Sequence, residues 1–415
     1  MSGAERLRIF LCGGAMSEAL YSSWIEISRS AYRKNIEFFR ERLTPGTELA
    51  VVIKANAYGH GMVEIAHFAD ECGVKVFCVH SIDEALILRK QGFKQRVVVV
   101  GPVIKRMASA AIENDIEVLC CDTEYLQNYE KIAESLGKTV NIHLKLETGT
   151  NRQGISGQVL IAFLDELKKC KHVKLRAVYS HFANIEDTTD HSYARFQIDR
   201  FKREISYIRD AGFSGFDMHF ASSAAAAIYS NTHFNMVRLG IAQYGLWPSK
   251  ETYLSYIIEH GHGTEHILTP VLSWKTVIGQ VKTVKAGDYI GYGCSHQMTR
   301  DSKIAIIPIG YSDGYDRKLS NQGYVLVHGK RAPILGRIAM NLTTIDVTDI
   351  PDVKAEDEVV LIGSQGDQII RAEQLAGLAG TINYEVVARL SSRIPKVVVE
   401  HLCYFQAGGK QSDSF

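Results

Sequence analysis

A (β/α)8 barrel followed by a mainly β domain is the architecture this sequence predicts, and three observations carry the prediction. The chain has 415 residues, more than one compact domain ordinarily holds, so two domains are the natural division. From about residue 48, short β-rich runs alternate with helix-length amphipathic segments, the sequence form of repeated βα units around a parallel sheet. After about residue 266 the texture changes to short runs of Val, Ile and Thr punctuated by Gly and Asp.

Taken in order, the strands read as Glu48–Ile53, Val74–Val79, Arg96–Val100, Ile116–Cys120, Thr139–Leu144, Lys174–Ser180, Gly215–His219 and Asn235–Arg238, and each but the last precedes a helix-length segment. That rhythm over some 200 residues suits a (β/α)8 TIM barrel, whose chemistry gathers at the carboxyl ends of the strands. A doubly wound open sheet is the alternative, but no Gly-x-Gly-x-x-Gly turn follows the first strand. The β domain shows in Thr276–Val284, Lys303–Pro308 and Val325–Val327. We therefore expect an extension over 1–20, partly replaceable by a start at Met16, a barrel over 21–262 and a β-rich domain over 263–415.

Lys plus Arg nearly equals Asp plus Glu, leaving a formal charge of +1, so charge points to neither a nucleic acid nor a membrane surface as partner. A small neutral or anionic ligand stays open. The eight cysteines contain no Cys-x-x-Cys pair and no Cys/His order of zinc spacing, which predicts reduced thiols and a cytoplasmic protein. No apolar run approaches the roughly 18 residues that a membrane span needs. His260, His262 and His266 fall in the polar stretch 249–266 without nearby carboxylate or thiol order, a solvated loop rather than a metal site.

Lys54 follows the apolar run Ala50-Val51-Val52-Ile53 and precedes a glycine-flanked loop, which places it at a strand's carboxyl end, on the rim where barrels keep their chemistry. Position alone leaves an ion pair as open as catalysis. A lysine amine ordinarily titrates near ~10.4, so a nucleophilic or basic lysine needs burial or nearby positive charge, and Arg152 and Arg238 are candidate neighbours.

The run Lys54-Ala55-Asn56-Ala57-Tyr58-Gly59-His60-Gly61 closely resembles the cofactor-lysine motif of the alanine racemase family. Similarity continues in order from Trp24-Ile25-Glu26-Ile27 to Arg393-Ile394-Pro395. The resemblance implies a pyridoxal 5'-phosphate-dependent racemase acting on alanine, built as a barrel plus β domain in a head-to-tail homodimer that shares its active sites. It implies that Lys54 carries the cofactor and serves as a base on one face of the substrate carbon. Racemisation moves a proton on opposite faces, so a second base is expected, and Ile290-Gly291-Tyr292-Gly293 resembles the segment supplying it from the neighbouring subunit. A phenol ordinarily titrates near ~10, so a tyrosine base needs neighbouring donors or cations. The family arrangement is a hydrogen-bond chain running from that tyrosine, here Tyr292, to a histidine and an arginine, which correspond to His181 and Arg238.

The same resemblance assigns the rest of the site. Arg238 faces the pyridine nitrogen; an arginine only donates, so the nitrogen must accept, which weakens the cofactor as an electron sink and disfavours transamination. Tyr58, Ser223, Gly240, Ile241 and Tyr384 match the phosphate-binding set, with Ser222 standing where the family has asparagine. Arg152, in Lys145-Leu146-Glu147-Thr148-Gly149-Thr150-Asn151-Arg152, matches the arginine at the cofactor's phenolic oxygen and near the substrate carboxylate. Lys145 matches a lysine often carbamylated, a modification whose negative charge pairs with Arg152 where an ammonium repels it. Met340 is expected to offer its backbone N–H to the substrate carboxylate, and Tyr311, Arg317 and Arg337 match an entry corridor. Ala339 and Asn341 depart from the family, where cysteine or serine precedes the methionine and aspartate follows it.

Three rivals differ in kind. A racemase of serine or of basic amino acids shares the chemistry and is kept open by the Ala339 and Asn341 changes. A decarboxylase of related build resembles a glycine-triplet phosphate loop and a late Cys-Glu-Ser segment, neither of which is found here. A protein that only stores pyridoxal phosphate lacks the β domain.

Overall fold

The computed structural model of the chain describes residues 21–261 and 267–402. They divide into two units, one of Tyr32–Tyr58 and Met62–Thr269, the other of the segment before Tyr32, Gly59–Gly61 and the chain from Pro270 onward. The first strand, β1 (Ser23–Ser28), belongs to the second unit. Residues 21–31, expected at the start of the barrel, sort there because β1 pairs antiparallel with the strand at Leu272–Val277 and parallel with the one at Lys396–Val399.

In the first unit the eight expected strands all form: β2 (Glu48–Val52), β3 (Val76–Val79), β4 (Arg96–Val99), β5 (Glu117–Cys120), β6 (Val140–Lys145), β7 (Val173–Tyr179), β8 (Asp217–His219) and β9 (Met236–Leu239). Each pairs in parallel with its successor from β2 to β8, and β9 returns beside β2. Between β8 and β9 the ring is closed by single bonds, Asn235 N–H to the Met218 carbonyl at 3.1 Å and Arg238 N–H to the Ala221 carbonyl at 3.0 Å. The strands read as near-continuous apolar runs because both faces are covered. Ala50, Val52, Val76, Cys78, Val98 and Met236 fill the interior, at alternate positions as the two-residue period requires. The helices outside are terminated by side-chain chemistry: Asp122 accepts the N–H groups of Glu124 and Tyr125 at the start of Thr123–Leu136, and Gly137, left-handed at φ 62°, ends it.

The second unit is one sheet in the order β11-β12-β15-β14-β13-β16-β10-β1-β18, with β17 on β16. Its strands are β10 (Leu272–Val277), β11 (Gln280–Val284), β12 (Ser302–Ile307), β13 (Tyr324–Val327), β14 (Lys330–Leu335), β15 (Thr343–Asp346), β16 (Glu358–Gln365), β17 (Gln368–Ile370) and β18 (Lys396–Val399). The run 276–284 expected as one strand is two, because β10 joins β1 and β16 whereas β11 crosses to β12. Among the described residues, no helix is long and apolar enough to cross a membrane.

Candidate active site

Lys54 leaves the end of β2 into a tight turn in which Ala55, Asn56, Ala57 and Tyr58 all have φ between 52° and 54°, a left-handed conformation that L-residues adopt only at a cost. The turn is held from several sides. Glu84 accepts Ala55 N–H at 2.6 Å and His80 N–H at 2.7 Å, Asn56 Oδ1 accepts Met62 N–H at 2.9 Å, and Ala57 N–H reaches back to the Ile53 carbonyl. Within the second unit, a side chain on Gly59 would collide with the Val387 carbonyl, and its φ of +83° also calls for glycine.

Around Lys54 the strand ends gather cations. Burial first and Arg152 second push its amine below the ordinary lysine value, with Arg238 adding to the effect and Glu84 opposing it. Lys145, at the end of β6, is lowered by burial, Arg152 and Arg238 to about 8, and its Nζ donates to Gln153 Oε1 at 3.2 Å. His181 is held well below the ordinary imidazole range by burial and by Arg238, Arg152, Lys145 and Lys54, so the ring is neutral. The loop carrying Arg152 is tied to the end of β7: Thr148 Oγ1 meets Ser180 Oγ at 2.8 Å, and Thr150 Oγ1 donates to the His181 carbonyl at 2.8 Å.

Arg238, buried in β9, does not hydrogen-bond the ring of His181 as expected. Its Nη1 meets His219 Nδ1 at 2.6 Å, and its Nη2 donates to the carbonyls of Ser180 and Phe220. From there a buried chain continues: His219 Nε2 to His143 Nδ1 at 2.9 Å, His143 Nε2 to Glu117 Oε2 at 2.6 Å, and Glu117 to Arg96 through both oxygens at 2.9 and 3.0 Å. Both histidines are pushed below their ordinary value, first by burial. Burial would raise Glu117, but hydrogen bonds from His143 and Arg96 outweigh it and hold the carboxyl at about 2. A neutral imidazole has one donor and one acceptor, so the ends fix every link. Arg238 can only donate, His219 accepts at Nδ1 and donates from Nε2, His143 does the same, and the carboxylate accepts. Sequence reasoning missed His219, His143 and Glu117; the signal was a titratable side chain within each of three barrel strands, where both faces are covered.

A second cluster lies between β2, β8 and β9. Ser223 Oγ accepts the N–H groups of Gly240 at 2.8 Å and Ala242 at 3.3 Å, while Ile241 N–H, between them, donates to no group among the described residues. A Cβ on Gly240 would stand 3.1 Å from Tyr58 Oη and 3.5 Å from Ser223 Oγ, so these hydroxyls converge on bare backbone. Ser222 Oγ is buried without a hydrogen-bond partner among the described residues. Tyr292, Tyr311, Arg317, Arg337, Met340 and Tyr384 belong to the other unit. There Tyr292 is 73% exposed and Met340 55%. His260 ends the helix Lys250–His260, stacked on Tyr256 at 4.2 Å; His262 and His266 lie outside the described residues.

The model of the alanine racemase N-terminal domain matches residues 27–248, and that of the alanine racemase C-terminal domain matches 271–398. The chain belongs to the alanine racemase family. Its enzymes are isomerases, and this chain is one of them. Alanine racemase of Leptospira interrogans is 37% identical over 388 residues, 94% of this chain and 98% of that one. The alanine racemase of Methanococcus maripaludis is 37% identical over 90% of this chain and 98% of its own. Among solved structures, the Bacillus anthracis alanine racemase with bound L-Ala-P superposes with a TM-score of 0.85 at 34% identity, covering 92% and 97% of the two chains. The Bartonella henselae alanine racemase with covalently bound pyridoxal phosphate gives 0.80 at 26% identity, covering 91% and 100%.

Proposed function

We propose that this chain interconverts L- and D-alanine with pyridoxal 5'-phosphate, Lys54 and Tyr292 of the partner subunit acting as opposed bases. The observation that carries the proposal is the convergence on Lys54 of burial and two arginines, which keeps an amine available as nucleophile and base. The residues present fit the cofactor. The Tyr58 and Ser223 hydroxyls and the Ile241 N–H, beside the bare Gly240 backbone, offer converging donors suited to a phosphate, with Tyr384 as a further donor. Pyridoxal phosphate, when bound, withdraws electrons from the substrate's Cα–H bond and makes that proton removable.

The protein's own groups do the rest. Lys54 takes or returns the Cα proton on one face, and Tyr292 of the partner subunit does so on the other. His181, kept neutral by burial and the surrounding cations, would pack beside the cofactor and accept a hydrogen bond from the phenol. Arg238 stays a donor, because its other bonds end on acceptors. Arg152 binds the cofactor's phenolic oxygen and faces the substrate carboxylate. Lys145, at about 8, keeps a share of neutral amine near pH 7, the form that takes up carbon dioxide, and a carbamate there would hold Arg152. Met340 N–H receives the carboxylate, with Tyr311 at the approach. D-Alanine made in this way serves peptidoglycan synthesis from the cytoplasm.

The test is racemisation of L-alanine by the holoenzyme followed by circular dichroism. Lys54→Ala should lower the rate by roughly 10²–10⁴-fold or more, and an undiminished rate would overturn the assignment. A second reading, racemisation of serine or a basic amino acid, rests on Ala339 and Asn341; a faster rate with lysine, arginine or serine than with alanine would establish it.

A further inference from the structure

Gln243 follows the Gly240–Ile241 turn in sequence, is fully buried, and folds its side chain back onto that turn. Its Nε2 lies 2.8 Å from the Leu239 carbonyl, 3.0 Å from that of Val52 and 3.1 Å from that of Gly240. At the other end Tyr32 Oη lies 2.9 Å from Oε1. Carbonyls only accept, so the NH2 end must face all three and share its two hydrogens among them. The hydroxyl of Tyr32, itself fully buried, must then donate to Oε1. Both ends therefore require the same orientation of the amide. Asn35 Nδ2 holds the main chain as well, donating to the Gln243 carbonyl at 3.2 Å and to that of Thr269 at 2.8 Å.

Two of these carbonyls belong to the peptides that carry the turn's own donors. The Leu239 carbonyl shares a peptide with Gly240 N–H, which donates to Ser223 Oγ at 2.8 Å. The Gly240 carbonyl shares one with Ile241 N–H, and it accepts the Gln243 N–H at 3.2 Å as well. A carbonyl loaded with donors polarises the N–H of its own peptide, so one side-chain amide strengthens two consecutive donors. Ser223 Oγ accepts two N–H groups and keeps its own hydrogen to give. The third bond ties the same amide to Val52, two residues before Lys54, where Tyr244 Oη adds a second donor at 2.9 Å. A hydrocarbon side chain of the same length would fill the space and load none of these carbonyls.

Resting on the reading that Ser223 and the Gly240–Ile241 turn hold the cofactor phosphate, we propose that Gln243, oriented by Tyr32, is a positioning residue that sets the donor strength of this phosphate site. Two ligands isolate the phosphate: pyridoxal phosphate, and pyridoxal, which lacks only that group. Each is titrated into the full-length chain stripped of cofactor, and binding is followed by absorbance.

Gln243→Leu should raise the dissociation constant for pyridoxal phosphate roughly three- to tenfold and leave that for pyridoxal within about twofold. Leucine also strands the Tyr32 hydroxyl, so this variant should lose resistance to urea. Adding Tyr32→Phe removes the stranded hydroxyl and should return much of that resistance without returning the preference for the phosphate-bearing ligand. Equal weakening of both ligands in Gln243→Leu, unchanged affinities, or a double variant that regains the wild-type preference together with its stability overturns the inference alone. A wild-type chain that binds pyridoxal as tightly as pyridoxal phosphate overturns the placement of the phosphate as well.

Discussion

Arg238 is held at the end of a chain of groups whose direction is set at its far end, by Glu117 and Arg96 at the amino-terminal mouth of the barrel. That dependence gives a stability prediction with a definite sign. Glu117 sits at about 2 in the folded chain, against roughly 4.3 for an unfolded glutamate. Its contribution is therefore complete above the ordinary carboxylate range and is lost as pH falls through it toward 2. His143 and His219 act in the same direction, since the unfolded chain takes up their protons below about 6.5 and the folded chain resists. Glu117→Gln should cost about 3 kcal/mol at pH 7, with the gap to wild type narrowing below about pH 5. Urea titrations across that range check it, and a variant as stable as wild type at pH 7 would show that the carboxylate does not anchor the chain. None of this was legible in the sequence as a connected set. Glu117, His143 and His219 lie on three strands, and only the parallel register, Leu119 opposite His143 and Tyr179 opposite His219, brings them into line.

At the scale of elements, the barrel strands were legible because a strand covered on both faces reads as a near-continuous apolar run, and Val76–Val79 or Val97–Val99 satisfy that directly. The turn after Lys54 was legible as a motif but not as a conformation. Nothing in Ala-Asn-Ala-Tyr forecasts a left-handed run, since alanine favours the right-handed helix; the contacts with Glu84 and Ile53 impose it. The strain can be measured at Ala55, which is exposed. A left-handed L-residue costs roughly 1–2 kcal/mol, and glycine gives back roughly 0.5–1 kcal/mol in chain entropy. Ala55→Gly should therefore stabilise the protein by about 0.5–1 kcal/mol, the reverse of the same change in an ordinary helix. Denaturant unfolding decides the sign, and a loss of stability would mean that this turn is not strained.

For the whole molecule, the question is how Tyr292 meets Lys54. Tyr289, Tyr292, Tyr311, Met340 and Leu342 are exposed apolar or aromatic side chains of the β unit, and the proposed function hands Tyr292 to a neighbouring subunit. If each site takes Lys54 from one subunit and Tyr292 from the other, mixing two inactive variants should restore activity. In a Lys54→Ala and Tyr292→Phe mixture, half the dimers are hybrids and each hybrid has one intact site, so recovery should reach about a quarter of the wild-type rate. No recovery after subunit exchange, with hybrids verified by native mass spectrometry, would place both bases in one subunit. The β unit carries one further consequence, in the order of its making. Its sheet sets β1, near the start of the described chain, between β10 and β18, two strands that both follow the last barrel strand. During synthesis the barrel can close around β9 while β1 still waits, unpaired, for partners translated more than two hundred residues later. The earliest described strand to leave the ribosome is thus among the last to be placed, and the cell must keep Trp24-Ile25-Glu26-Ile27 from other edges throughout that interval.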